Sequence, residues 1–409
     1  MRSREPPRLW IRKSFVLPGV KKCLAVRPLP LLPKTKNEEV LPLAFLRPAA
    51  LCSLDGTPPP PQEADMSLNE LRTLGRTGAL ISPLTLGTLN FGTGTAPTGP
   101  ADSIRIIKAA LDAGITSIDT ADIYSQGEAE NVVGQAIHGR RDEVFLATKF
   151  HGQMGSNPAH AGNSRRWIVR AVEDSLRRLD TDRIDLYQAH RPDYNTDLLE
   201  TITALNDLIR QGKILYYGTS VFSPAQLVEA QWIANTNHLT PPVVDQVPYS
   251  LLVRANERDV FPITQQYGVG VLSYGPLDGG WLAGGYRVGG GQPESSRFSA
   301  VPGRFDVTAP FNQAKLHAAD ALGRVAARYG VSLIQLAVAF AMNHPAVTSV
   351  IIGPRTEEHL TDYLKAADVV LSEAILDEID DIVAPAVNFL ERDAGTVAPH
   401  LEYPELRRR

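Results

Sequence analysis

The sequence predicts an α/β fold of the (β/α)8 TIM-barrel class, with a short β-hairpin in front and a disordered extension before that. Three observations predict it. Short apolar runs with strand character alternate with stretches of helical spacing. About eight such repeats fit into roughly 300 residues, the size of one barrel. Polar groups also close several of the runs, where a barrel collects its chemistry: Asp119, Lys149 and His190. An open doubly wound sheet is the alternative, but no Gly-x-Gly-x-x-Gly follows a strand.

Residues 1–65 stand apart. They hold 12 of the 31 prolines, including Pro58 to Pro61, and lack sustained periodicity. Eleven Lys/Arg against six Asp/Glu make them about +5, leaving the remainder near -9. The expectation is a disordered extension, with translation beginning upstream of a true start at Met66. A transit or interaction leader is the competing reading. The barrel domain is expected over 66–409.

The elements then follow in order. Residues 71–81 alternate around a Gly-bounded turn, as a hairpin does. Residues 84–86 are a strand. Asp102 opens a helix with Ile107, Ala110 and Leu111 on one face, and Gly114 stops it. Ile168, Ala171, Val172, Leu176 and Leu179 form one stripe over 165–179. Strands are expected at 214–218, 242–246, 268–273 and 347–352. The last strong helical pattern runs over 372–382, the tail beyond Pro385 is irregular, and 407–409 form a solvated end.

Composition excludes several functions. At 43% hydrophobic and 21% charged, the chain has the balance of an ordinary globular protein. A net charge of -4 without a basic, aromatic-laced patch argues against nucleic acid as a partner. No apolar run approaches the roughly 18 residues of a membrane span. Cys23 and Cys52 both precede the barrel, so no thiolate metal site is expected there, and a reducing cytoplasm is the expected location.

Tyr124 lies five residues beyond Asp119, in the loop after that strand. A lysine beside a tyrosine favours the phenolate, lowering its pKa from about 10. Lys149 would do this for Tyr124, Asp119 would hold Lys149, and His190 would orient a carbonyl oxygen or assist the proton relay. Tyr124 would then protonate an alkoxide. Singly, each has an ordinary reading: a helix cap, a packed aromatic, an ion-pair partner, a structural histidine.

Residues 114–124 read Gly-Ile-Thr-Ser-Ile-Asp-Thr-Ala-Asp-Ile-Tyr, with Gly127 and Glu130 following. Residues 175–179 read Ser-Leu-Arg-Arg-Leu, and Asp182-Arg183-Ile184-Asp185-Leu186-Tyr187 leads to His190. This ordered set resembles the aldo-keto reductase signature from about Leu71 to the C-terminus. The resemblance implies a nicotinamide cofactor (usually NADPH, with NADH the alternative), no metal, and Asp119, Tyr124, Lys149 and His190 as a catalytic tetrad. The family's potassium-channel β-subunits carry Asn where this chain has His190, which favours the reductase branch.

Further cofactor residues follow from the same resemblance. Ser220, after Gly218 and Thr219, matches the serine that binds the carboxamide, with Gln246 as its partner. Tyr274-Gly275-Pro276-Leu277 is similar to an aromatic-x-Pro-Leu segment whose aromatic ring stacks on the nicotinamide. Arg297 matches a phosphate contact. Gly353 begins a turn into a helix N-terminus, where backbone amides suit an anion. Arg355 there would take a 2′-phosphate, favouring NADP. The chain departs from the commoner pattern at His359, Tyr363 and Gly285, where Gln, Asn and a pyrophosphate-binding lysine are usual; His359 is still expected among the cofactor-binding residues, through stacking or a hydrogen bond.

The expected reaction is reversible reduction of a small aldehyde or ketone, with Leu89, Phe91, Tyr124 and Trp281 around the substrate. A cofactor-sensing regulatory protein with little turnover is the second reading. An unrelated barrel enzyme using Lys149 as a Schiff base is the third.

Overall fold

A computed structural model of the protein describes residues 68, 70–92, 98–294, 301–397 and 399–408. The extension read at 1–65, both cysteines and Arg297 lie outside the described residues.

The hairpin is as expected: β1 (Arg72–Thr73) pairs antiparallel with β2 (Leu80–Ile81). Eight parallel strands follow: β3 (Leu84–Gly87), β4 (Ser117–Asp119), β5 (Phe145–Phe150), β6 (Ile184–Ala189), β7 (Ile214–Ser220), β8 (Val244–Pro248), β9 (Gly270–Tyr274) and β10 (Val347–Ile352). Each pairs with the next in sequence, and β10 closes on β3 with Val350 opposite Leu84. Closure rules out the open sheet.

The helices between them form for local reasons. Arg165–Leu179 starts where the Ser164 side chain accepts from the Trp167 amide, and it buries the predicted stripe together with Trp167 and Ser175. Pro100–Asp112 begins two residues before Asp102, because Pro100 takes the first helical position, where no amide hydrogen is needed. Strands β8 and β9 start later than expected. Gly268, at φ 64°, ends the preceding helix, and Pro242 has no amide to give a ladder. Ser372 caps Glu373–Ile382 from outside it.

Alternation along the strands builds the barrel interior in layers. Ala147, Leu186, Val244, Leu272 and Ile351 form an apolar floor with Leu74 and Ile81 of the hairpin. Two residues further along β5, β6 and β8, on the same face, stand Lys149, Gln188 and Gln246. A polar layer therefore rests on an apolar one.

The hairpin seals the lower end. A Cβ on Gly75, at φ +56°, would lie 2.7 Å from the Gly268 carbonyl oxygen and 2.8 Å from the Gly270 nitrogen. Gly75→Ala should therefore lower unfolding free energy by about 1–3 kcal/mol, the range for forced left-handed backbone, with the crowding adding to it. A urea midpoint unchanged from wild type would contradict this.

Among the described residues no single helix is long and apolar enough to cross a membrane. Among them no His, Cys, Asp and Glu cluster suits a metal ion either.

Candidate active site

Three neighbouring strand ends bring the predicted groups together around Tyr124. Asp119 closes β4, Lys149 lies near the end of β5, and His190 directly follows β6. Lys149 Nζ donates to Asp119 Oδ2 at 2.6 Å, to the Thr120 carbonyl at 2.7 Å and to the Tyr124 hydroxyl at 3.2 Å. The side chains of Lys149 and Asp119 are 0% and 3% exposed, so this is a buried ion pair. The other oxygen of Asp119 accepts from Gln246 Nε2 at 2.9 Å and from Gln188 Nε2 at 3.4 Å. The His190 ring meets the Tyr124 ring edge-on, with centroids 5.7 Å apart.

Burial sets the electrostatics. It opposes charge on Lys149, but Asp119 and Tyr124 outweigh it and raise the Lys149 pKa. Burial also raises the Tyr124 pKa, and Lys149 only partly offsets this. That corrects the expectation of a net lowering: without a ligand, Tyr124 holds its proton firmly. His190 lies well below its usual value, through burial first and then the Lys149 and Arg191 charges, and is neutral near pH 7.

Tyr124 sits on a constrained turn. Ser125, Gln126 and Gly127 follow it with φ of 48°, 53° and 95°. Ser125 Oγ donates to the Phe91 carbonyl at 2.9 Å, and the Gly155 amide donates to Gln126 Oε1 at 3.3 Å. Behind the turn, Glu130 accepts from Arg178 Nε at 2.7 Å and from Thr148 Oγ1 at 2.6 Å. Gly127 leaves room for the arginine, since a Cβ there would lie 2.7 Å from its Cδ.

Asp122, wholly buried beside this group, is pushed up to about 8 from 3.8, by burial first and the Glu130 carboxylate next. Folded Asp122 then keeps a proton that the unfolded chain has lost. Its contribution to stability is full below 3.8 and declines as pH rises through about 8. Asp122→Asn should flatten that part of the decline in urea titrations across this range. An unchanged slope would place the proton elsewhere.

The predicted cofactor residues gather on neighbouring strand ends. Ser220 closes β7 and donates through Oγ to the Gln246 carbonyl at 2.8 Å. Tyr274 closes β9 and is half-buried, with Pro276 buried and Leu277 half-buried beyond it. A Cβ on Gly275 would meet nothing within 4 Å, so open space adjoins the Tyr274 segment. The residues present suit a nicotinamide in their chemistry: an aromatic ring, a hydroxyl and an amide side chain on neighbouring strand ends. Farther round, the Gly353 carbonyl accepts from Asn90 Nδ2 at 3.1 Å and the Arg355 carbonyl from Thr98 Oγ1 at 3.2 Å. His359 is exposed on the following helix, whereas Tyr363 is buried in the core.

Two substrate-wall expectations need correction. Leu89 is 56% exposed, but Phe91 and Trp281 are 0% exposed. Trp281 stacks on Tyr286 with centroids 4.1 Å apart, beneath Lys315. Both aromatics are fully buried in the hydrophobic core.

Sequence reasoning missed Gln188, the Thr120 carbonyl and the Glu130–Arg178 brace. Gln188 was open to discovery, because it lies two residues past inward-facing Leu186. The irregular tail also enters the site region: a Cβ on Gly395 would lie 2.5 Å from the Tyr274 hydroxyl.

Residues 83–384 match the model of the Aldo/keto reductase family. A probable voltage-gated potassium channel subunit beta of Oryza sativa is 35% identical over 322 residues, covering 77% of this chain and 96% of that protein. Its namesake in Arabidopsis thaliana is 33% identical over the same shares. Uncharacterized oxidoreductase YrpG of Bacillus subtilis is 36% identical over 76% of this chain and 95% of its own length.

Proposed function

We propose that this chain, which belongs to the aldo/keto reductase family, reduces a small aldehyde or ketone to an alcohol, reversibly, with NADPH. Family membership makes it an oxidoreductase. The finer reading rests on one observation above all: the Tyr124 hydroxyl lies 3.2 Å from Lys149 Nζ, which Asp119 holds at 2.6 Å. A proton donor backed by a fixed cation is what a developing alkoxide requires.

Ser220, Gln246 and Tyr274 would hold a nicotinamide, whose chemistry would be hydride supply to the carbonyl carbon. The chain supplies the rest. Tyr124 gives its proton to the carbonyl oxygen as the alkoxide forms, and Lys149 stabilises the phenolate left behind. Asp119 keeps Lys149 charged and in place. Neutral His190 lends a ring N–H to orient the substrate oxygen. Ser220 and Gln246 would hold the carboxamide, and Tyr274 would stack on the ring, fixing its height. Arg355 would engage a 2′-phosphate, which favours NADPH over NADH, and Arg297 a phosphate. Leu89 remains the candidate for the substrate wall. The elevated Lys149 pKa speaks against Schiff-base chemistry, which needs the free amine. For domain organisation, we propose a barrel over 66–409 preceded by an extension, located in the cytoplasm.

A second reading is a cofactor-sensing subunit that assembles with a channel, motivated by the names of the rice and Arabidopsis relatives. NADPH and NADH consumption against a panel of aldehydes and ketones separates the two. Turnover well above that of Tyr124→Phe supports the reductase. Tight NADPH binding without such turnover supports the sensor.

A further inference from the structure

The segment beyond Pro385 does not trail into solvent. The Val387 carbonyl accepts from the Arg254 amide at 3.0 Å, and Asn388 Oδ1 accepts from the Ala255 amide at 2.9 Å. The chain then dives inward at Asp393, which is 3% exposed. The Asp393 carboxylate meets Lys315 Nζ at 2.6 Å and Arg304 Nη2 at 2.9 Å. Lys315, itself wholly buried, also pairs with Asp278, the residue directly after Leu277. Two cations, wholly buried Lys315 and partly exposed Arg304, thus face two buried carboxylates and tie the tail to the loop that leaves Tyr274.

Two residues on, the backbone passes close over the barrel mouth. Gly395 has φ +90°, and a Cβ there would lie 2.5 Å from the Tyr274 hydroxyl oxygen, 2.8 Å from Val221 Cγ1 and 3.3 Å from Pro248 Cδ. These three neighbours stand at the ends of β9, β7 and β8. The tail therefore abuts the hydroxyl edge of the Tyr274 ring.

We propose that residues 393–395 are a positioning element for Tyr274, and that Asp393 anchors them over the nicotinamide cofactor site. The idea rests on the proposed function, in which Tyr274 stacks on the nicotinamide. Without the anchor, Lys315 keeps one partner fewer, the tail lifts, and the ring loses the backbone wedge that fixes its tilt. A stacked ligand then leaves faster.

The test is NADPH release from the full-length protein, followed by stopped-flow fluorescence. Asp393→Asn should speed release about tenfold, and Asp393→Glu should bring it back towards wild type. Gly395→Ala keeps the ion cluster and should also speed release about tenfold, so the test survives if Asp393→Asn folds poorly. Adding Tyr274→Phe removes the oxygen that the new methyl would strike. It should recover about threefold or more of the Gly395→Ala effect, a coupling that general loosening would not produce. If wild type binds NADPH and both single variants release it within about twofold of wild type, the positioning role is wrong and the proposed function stands. If wild type binds no NADPH, both fall.

Discussion

Tyr124→Phe should lower kcat for carbonyl reduction about a hundred- to ten-thousand-fold, the usual worth of a positioned general acid. The Kd for NADPH should hardly move, because the hydroxyl points to Lys149 Nζ at 3.2 Å and Tyr274 lies on a different strand end. The pH profile sharpens the test. Burial, opposed in part by Lys149, raises the Tyr124 pKa, so the wild-type rate should hold across neutral pH and fall only on the alkaline side. A Tyr124→Phe enzyme with more than about a tenth of wild-type kcat would remove Tyr124 as the proton donor.

Asp119→Leu should cost about 3–5 kcal/mol of stability, because it strands a buried ammonium without its carboxylate. The pH dependence should also change sign. In wild type the Lys149 pKa is raised above 10.5, so its contribution is present below that value and lost as pH climbs through the folded pKa. In Asp119→Leu, burial acts with less opposition, and the folded protein sheds a proton that the unfolded chain keeps. Stability should then rise with pH through the neutral and alkaline range. Urea titrations at several pH values read both effects, and parallel slopes for the two proteins would show that Asp119 does not govern the charge on Lys149.

Much of the barrel was legible because its signals are local. The strand Val347–Ile352 and the helix Arg165–Leu179 match their apolar patterns end to end, since each pattern needs only its own residues and their caps. Asp119, Lys149 and His190 could be placed at strand ends for the same reason. What stayed hidden depends on distant partners. The tail looked irregular because Asp393 finds Lys315 across 78 residues and forms no long element of its own. The sequence puts Phe91 and Trp281 in loops around the substrate, and only the fold shows that both are fully buried. The direction of the Tyr124 pKa shift was also out of reach: a sequence names the cation nearby but not the depth of burial that outweighs it.

The hairpin has a consequence for the order of assembly. Arg72 donates to the Met342 and Val347 carbonyls, 270 and 275 residues away, and Arg76 reaches the Gln266 carbonyl across 190. The turn at Gly75 rests on Gly268 and Gly270. On the ribosome this hairpin emerges before every barrel strand, yet its docking surface exists only after β8 to β10 have been made. Loops of this span add little equilibrium penalty beyond shorter ones, but they slow the search. The earliest piece of the barrel domain to be synthesised thus cannot dock fully until its partners around β8 to β10 have been made, and Leu74 and Ile81 stay without that packing until then.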